Sequence, residues 1–256
     1  MQIRVLGCSG GVGGQRRTTS LLIDNDVLID AGTGAADLSL AEMRQIRHIC
    51  ITHSHLDHLV TLPLLVDTLF GELEEPLQVY ALPETIDAIK RHIFNWHIWP
   101  DFSELPNPQN PVVRFIPLVA GSFIYLSNDR KIESVAVAHA VPAVGYIVSQ
   151  RQRVFAFSGD TSKNDSLWQA LNRYPTLDLL IVECAFSNED AAVAQLAQHY
   201  CPDWLAQDLQ KLQHQPLIAL THMKPGDEAV IIKQCSALLA HRQIIALVGN
   251  EQYQFD

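Results

Sequence analysis

The chain has 256 residues, with 18 Lys and Arg against 28 Asp and Glu and a formal charge of −10. Its 48% hydrophobic and 18% charged content excludes an intrinsically disordered chain. The acidic balance argues against a general nucleic-acid binder, which needs basic patches to neutralise phosphates. A small anion can still bind where the local charge is reversed.

Short apolar runs at 3–7, 20–24 and 27–30 predict strands, with Asp24-Asn25-Asp26 as a hairpin turn. A further run, 48–52, ends in a histidine cluster, and 77–81 follows. Residues 84–95 carry Ile86, Ile89, Ile93 and Phe94 at helical spacing and predict an amphipathic helix. From 95 to 111 the chain is aromatic and Pro-rich, so helix cannot persist and an irregular loop is expected. The second half predicts strands at 112–117, 131–138, 144–149, 153–157, 178–183, 217–221 and 244–248, with helices at 165–174, 203–212 and 227–241. Strands come first in each half and helices return between later strands. That rhythm predicts an α/β fold with two packed sheets and helices outside, a four-layer αββα sandwich. With no linker, charge block or low-complexity run, residues 1–256 are expected to form a single domain.

No apolar h-region opens the chain, and no apolar run reaches the length of a membrane span. Cys8, Cys50, Cys184, Cys201 and Cys235 are scattered and include no Cys-x-x-Cys pair. This usage predicts reduced thiols and a cytoplasmic location.

The chemistry concentrates in Thr52-His53-Ser54-His55-Leu56-Asp57-His58. The segment lies between a strand end and a helix expected to begin near Asp57. Two histidines at i and i+2 on a non-helical turn can point at one ion, and Asp57 and His58 can reach a second. Imidazole and carboxylate suit zinc and similar divalent metals. Further ligands are expected at strand ends: His139 after the run 132–138, Asp160 after 153–157, and His222 after 217–221. Polar residues at the C-terminal ends of hydrophobic runs fall along one sheet edge, where α/β active sites form. Taken singly, each has a structural reading, His139 as a satisfied, partly buried histidine; with the cluster they make a site.

From the Gly-rich turn 7–14 to His222, these motifs resemble the metallo-β-lactamase superfamily. The resemblance implies a metallo-β-lactamase-like fold in which His53, His55 and His139 hold one metal and Asp57, His58 and His222 the second, with Asp160 bridging. Two divalent ions about 3.5–4 Å apart clamp the attacking and leaving oxygens of a displacement. A water with its pKa lowered to about 7 supplies hydroxide. Zinc is expected first, with manganese or iron able to use overlapping ligands. Such a site is locally cationic and favours an anionic substrate.

Within the superfamily, His53-Ser54-His55-Leu56-Asp57-His58 is similar to the class II 3′,5′-cyclic-nucleotide phosphodiesterases. So are His92-Ile93-Phe94-Asn95-Trp96-His97-Ile98-Trp99-Pro100-Asp101 and Ile181-Val182-Glu183-Cys184-Ala185-Phe186-Ser187-Asn188, although that family more usually has Thr-Ser after the Glu. The opening Leu6-Gly7-Cys8-Ser9-Gly10-Gly11 also fits. The resemblance implies a di-metal hydrolase that opens 3′,5′-cyclic AMP, or cyclic GMP, to the 5′-monophosphate by attack of metal-bound hydroxide on phosphorus. It implies His199 as proton donor to the leaving oxygen, oriented by Glu183. Here the family's usual Gly-His-Leu is Gln198-His199-Tyr200.

Trp96 and Trp99 offer either a wall on which a purine stacks or packing. Asn188 either hydrogen-bonds substrate or caps the helix after it. The glycine run lacks a P-loop signature and reads as a turn near the metals. Arg16 and Arg17 read as surface residues, and His48, His92, His97, His214 and His241 as incidental. The expected partner is a small cyclic nucleotide, with no large nucleic acid and no membrane. Aromatics between 94 and 102 suit a homodimer interface, a pocket or both. The rivals are a tRNA 3′-processing nuclease, which usually carries Gly where Leu56 stands, a thioester or lactone hydrolase, and a non-enzymatic metal- or nucleotide-binding protein.

Overall fold

A computed structural model describes residues 1–255. Its strands, in chain order, are β1 (Gln2–Gly7), β2 (Ser20–Ile23), β3 (Val27–Ile29), β4 (His48–Cys50), β5 (Leu77–Ala81), β6 (Val113–Pro117), β7 (Phe123–Tyr125), β8 (Arg130–Val137), β9 (Ala143–Gln150), β10 (Arg153–Phe157), β11 (Leu179–Glu183), β12 (Leu217–Thr221), β13 (Ile244–Ala246) and β14 (Gln252–Gln254). The α-helices are α1 (Leu40–Met43), α2 (Leu62–Thr68), α3 (Pro83–His92), α4 (Ser166–Leu171), α5 (Ala191–Ala197), α6 (Pro202–Leu209) and α7 (Glu228–Leu238). By backbone contacts the chain divides into two compact units. The first holds Met1–Cys8, Arg17–Leu118 and the chain from Gly249 onward; the second holds Ser9–Arg16 and Val119–Val248.

The first unit is built on a seven-stranded sheet in the order β14-β1-β2-β3-β4-β5-β6. Pairs among β14, β1, β2 and β3 are antiparallel, and the expected turn at 24–26 joins β2 to β3 with Asp24 at φ 49°. From β3 to β6 the pairs are parallel. Parallel neighbours need long crossovers, and α1, α2 and α3 lie in them. The core gathers Leu22, Leu28, Ile49 and Val79 from strands and Leu62, Leu65, Val66 and Ile89 from helices.

The second unit repeats the plan, in the order β13-β12-β11-β10-β9-β8-β7. Strands β7 to β10 pair antiparallel, and β10 to β13 pair parallel across α4, α5, α6 and α7. Two antiparallel steps separate β8 from β10, so these strands run the same way. The C-terminal ends of β8, β10, β11 and β12 therefore share one edge. Trp168 on α4 is fully buried in this unit's core beside Leu180 and Leu205. Truncating such a side chain costs about 3–5 kcal/mol.

The expected strands all appear, with ends shifted by at most two residues. The helices are shorter than their apolar patterns: 84–95 stops at His92, and 227–241 runs from Glu228 to Leu238. No α-helix begins at Asp57. Leu56–His58 is one 3-10 turn, and α2 starts at Leu62. The loop from 95 to 111 contains no regular element. Among the described residues, no helix is long and apolar enough to cross a membrane.

Candidate metal centre

In the first unit, the site residues are organised around a residue that sequence reasoning passed over. Asp30 follows β3 with φ 56° and is fully buried. Its carboxylate accepts the Thr52 N–H at 2.8 Å and the Thr52 hydroxyl at 2.9 Å. Its Oδ2 lies 2.7 Å from His58 Nδ1. Burial raises the Asp30 carboxyl, and the His58 ring and the Thr52 donors offset part of that rise. The Thr52 hydroxyl also lies 3.0 Å from His53 Nδ1. One carboxylate thus fixes the strand end that carries His53 and the ring of His58. The signal was present: Asp30 closes an apolar run in the same way as His139 and His222.

The histidines of this motif are close neighbours. The His53 and His55 rings are 4.6 Å apart, and those of His53 and His58 4.3 Å. Asp57 Oδ2 is 3.8 Å from His58 Nε2. The 3-10 turn is drawn onto the segment after β3 by Ala31 N–H donating to the His58 carbonyl at 2.7 Å. A Cβ on Gly32 would lie 2.3 Å from the Asp57 carbonyl oxygen, so only glycine permits this approach. Leu56, the residue that distinguishes the motif, is exposed.

In the second unit, His139, Asp160, Glu183 and His222 lie at or just beyond the C-terminal ends of β8, β10, β11 and β12, the shared edge. All four are buried. His222 Nε2 lies 3.2 Å from Asp160 Oδ2. The Gln198 carbonyl holds His139 Nδ1 at 3.0 Å. The Nδ1 sides of His53, His58 and His139 are thus engaged by the chain itself. Metal-holding histidines are oriented this way, tied through one ring nitrogen so that the other faces the ion. The first unit thus offers His53, His55, Asp57 and His58, and the second His139, Asp160 and His222, imidazole and carboxylate donors of the kind that suit divalent metal ions.

His199 is buried and comes after α5, whose C-cap Gln198 adopts φ 55° and turns the chain back. Gln198 thus occupies a left-handed position at a cost of about 1–2 kcal/mol. His199 Nδ1 lies 2.7 Å from Glu183 Oε1. Glu183 also accepts N–H groups from Thr161 at 2.9 Å and Ala185 at 3.0 Å. Burial works against a charged His199, but the Glu183 carboxylate, with Asp160 behind it, outweighs burial and raises the imidazolium pKa. The His199 ring stacks on His222 at 5.3 Å and meets His139 edge-on at 5.0 Å.

The glycine run is fastened beside His222. Gly10 N–H donates to the Met223 carbonyl at 3.0 Å, and Ser9 forms a bridge with Met223. A Cβ on Gly10 would lie 2.3 Å from the His222 carbonyl oxygen. Arg16 and Arg17 pair with Glu228 and Asp37. The packing reading of Trp99 and the capping reading of Asn188 each have contacts in the structure. Trp99 packs against the core of the first unit, while Trp96 stands exposed. The Asn188 side chain accepts the Asp203 N–H at 2.9 Å and donates to the Asp203 carboxylate at 3.0 Å. It therefore caps α6, one helix later than expected.

His and Asp side chains gathered at strand ends of an α/β fold are donors of the kind that hold divalent metal ions. The family described as "Beta-lactamase superfamily domain" matches residues 25–242, and the chain belongs to it. A probable 3′,5′-cyclic-nucleotide phosphodiesterase of Yersinia pestis is 27% identical over 217 residues, covering 72% of this chain and 58% of that protein. Ribonuclease Z of Pyrococcus abyssi is 28% identical over 142 residues, covering 54% of this chain and 43% of that one. The chain thus spans about half the length of these curated relatives. Unliganded yeast PDE1 superposes with a TM-score of 0.82 at 17% identity, over 98% of both chains. The metallo-β-lactamase fold protein YhfI of Bacillus subtilis superposes with a TM-score of 0.79 at 15% identity, over 99% of both chains, and that likeness shows the metallo-β-lactamase fold.

Proposed function

We propose that this chain is a two-metal phosphodiesterase that opens 3′,5′-cyclic nucleotides, cyclic AMP first among them, to the 5′-monophosphate. The observation that carries this reading is the buried Glu183–His199 pair at 2.7 Å, stacked on His222. In this reading His53, His55, His139 and Asp160 would hold one ion, and Asp57, His58, Asp160 and His222 would hold the other. Bound ions would polarise a phosphoryl oxygen and supply a nucleophile at neutral pH. Asp30 and the Gln198 carbonyl keep two of the ligand rings oriented. His199 delivers one proton to the ribose 3′-oxygen as its bond to phosphorus breaks. Glu183 holds the opposite ring nitrogen and favours the charged ring that can donate.

The Yersinia relative supports a cyclic nucleotide as the phosphodiester, and its match covers more of this chain than that of the Pyrococcus ribonuclease Z. Small size also suits a chain with net charge −10. A second reading, RNA 3′-processing, draws on the ribonuclease Z relative and would require a basic path for a large polyanion. The test is hydrolysis of cyclic AMP by metal-replete protein beside His55→Ala and Asp160→Ala. The expected result is 5′-AMP from the wild type alone. No 5′-AMP above the level of the variants overturns the reading. RNA binding that weakens steeply with salt would favour the second.

A further inference from the structure

Lys224 lies two residues beyond His222, and its charge is unusually placed. Its backbone N–H donates to the Ala185 carbonyl at 3.0 Å, which fastens it to the loop leaving β11 with Glu183. Its ammonium donates to the Gly10 carbonyl at 2.9 Å and lies 5.8 Å from the centre of the Phe186 ring. That ring in turn meets the His199 ring edge-on at 5.7 Å. The cation therefore sits one aromatic ring away from the Glu183–His199 pair.

Among the described residues, Lys224 meets no carboxylate. Other lysines of this acidic chain do: Lys211 pairs with Asp165 and Asp208, and Lys90 with Asp101. An ammonium carries three donors, and here the protein uses one. A partly buried charge without a counter-ion is costly, and an anionic ligand removes that cost.

We propose that Lys224 is a substrate-binding residue whose ammonium takes a phosphate oxygen of the phosphodiester beside the Glu183–His199 pair. The inference rests on the phosphodiester reading above and adds to it a cation supplied by the chain. Lys224 contacts the charged group present in both substrate and product. Its contribution is to binding, not to proton transfer.

The test titrates inorganic phosphate and 5′-AMP calorimetrically into the metal-replete full chain at low salt, for wild type, Lys224→Gln and Lys224→Arg. Lys224→Gln is expected to weaken both ligands by about tenfold or more, and Lys224→Arg to stay within about threefold. With cyclic AMP, Lys224→Gln raises KM by a similar factor and leaves kcat within about threefold. Unchanged phosphate affinity in Lys224→Gln overturns the proposal. So does equal loss in both variants with lowered melting temperatures, which marks a strap for the glycine run. Should Lys224→Gln not fold, amine acylation of the wild type is mapped by mass spectrometry. Phosphate is expected to protect Lys224, and no protection overturns the assignment. The phosphate titration needs no turnover. An effect of Lys224→Gln without cyclic AMP hydrolysis would therefore fail the cyclic-nucleotide reading alone.

Discussion

Asp30 Oδ2 lies 2.7 Å from His58 Nδ1, and both side chains are fully buried. With Nδ1–H donated to the carboxylate, the Nε2 lone pair is the one left to meet a metal. Asp30→Asn keeps the volume but removes the charge and one strong acceptor. It is expected to weaken metal binding by about 10–100-fold, the range for losing such a partner. Competition against a graded chelator series measures this. A competition curve matching the wild type would show that Asp30 has no hold on the metal.

Gly10→Ala tests how His222 is placed. The added methyl would lie 2.3 Å from the His222 carbonyl oxygen and 3.2 Å from its Cδ2, so backbone must yield. Overpacking of this kind costs about 1–3 kcal/mol. The expected outcome is a lower melting temperature together with loss of about one metal equivalent by elemental analysis. Gly14→Ala is the control, since a Cβ there meets nothing within 4 Å. Its left-handed backbone costs about 1–2 kcal/mol without moving His222. Equal metal content in the two variants would sever the glycine run from the site.

The legible part of the site was the part written as polar residues at the ends of apolar runs. Asp160, Glu183 and His222 close or follow strands whose interior positions are apolar, His139 follows the apolar end Val135–Val137 of the more polar β8, and the common direction of β8, β10, β11 and β12 brings them to one edge. Asp30 obeyed the same rule but stands alone, without the histidine company that drew attention to 53–58. Trp99 and Asn188 were ambiguous because an aromatic near a motif and an amide near a helix each have a packing or capping use; the structure supplies that use. Helix α2 starts later than expected and α5 has no expected counterpart, both for local reasons. Leu62–Thr68 is nearly all apolar apart from Asp67 and Thr68, with Pro63 in its first turn, and Ala191–Ala197 is mostly alanine, so neither shows a clear stripe. Edge strands β7 and β14 have three residues each, too few for an alternating pattern to stand out.

Glu42 makes a pH prediction remote from any metal. It closes a capping box with Ser39 at the start of α1 and pairs with Arg4 at 2.7 Å. Hydrogen bonds from the Ser39 hydroxyl and backbone N–H, then from Arg4, pull its pKa from 4.5 down to about 2. A carboxyl with a depressed folded pKa stabilises the fold above its unfolded value and loses that contribution as pH falls through the folded one. Glu42→Gln is therefore expected to lower stability at pH 7 by about 0.5–1 kcal/mol, a capping-scale effect on a partly exposed helix end. The gap to wild type should narrow from pH 4.5 towards pH 2. Denaturant melts across that window check it, and a constant gap would refute the assignment.

His199 and Glu183 can be separated from the metals by the choice of leaving group. A ribose 3′-oxygen is a poor leaving group that profits from a proton, whereas a nitrophenolate leaves without one. His199→Ala is therefore expected to cut kcat on cyclic AMP by about 10²–10⁴-fold while metal content stays at the wild-type level. On bis(4-nitrophenyl) phosphate the same variant should keep its rate to within about tenfold. Glu183→Gln leaves the His199 ring in place with a neutral partner, so it should follow the same pattern with a smaller loss on cyclic AMP. Its pH-rate profile should lose the protonated form of His199 at lower pH than the wild type, because the carboxylate that raises the imidazolium pKa is gone. Equal losses on both substrates would assign the pair to holding the site together, and the proton-donor role of His199 would then be abandoned.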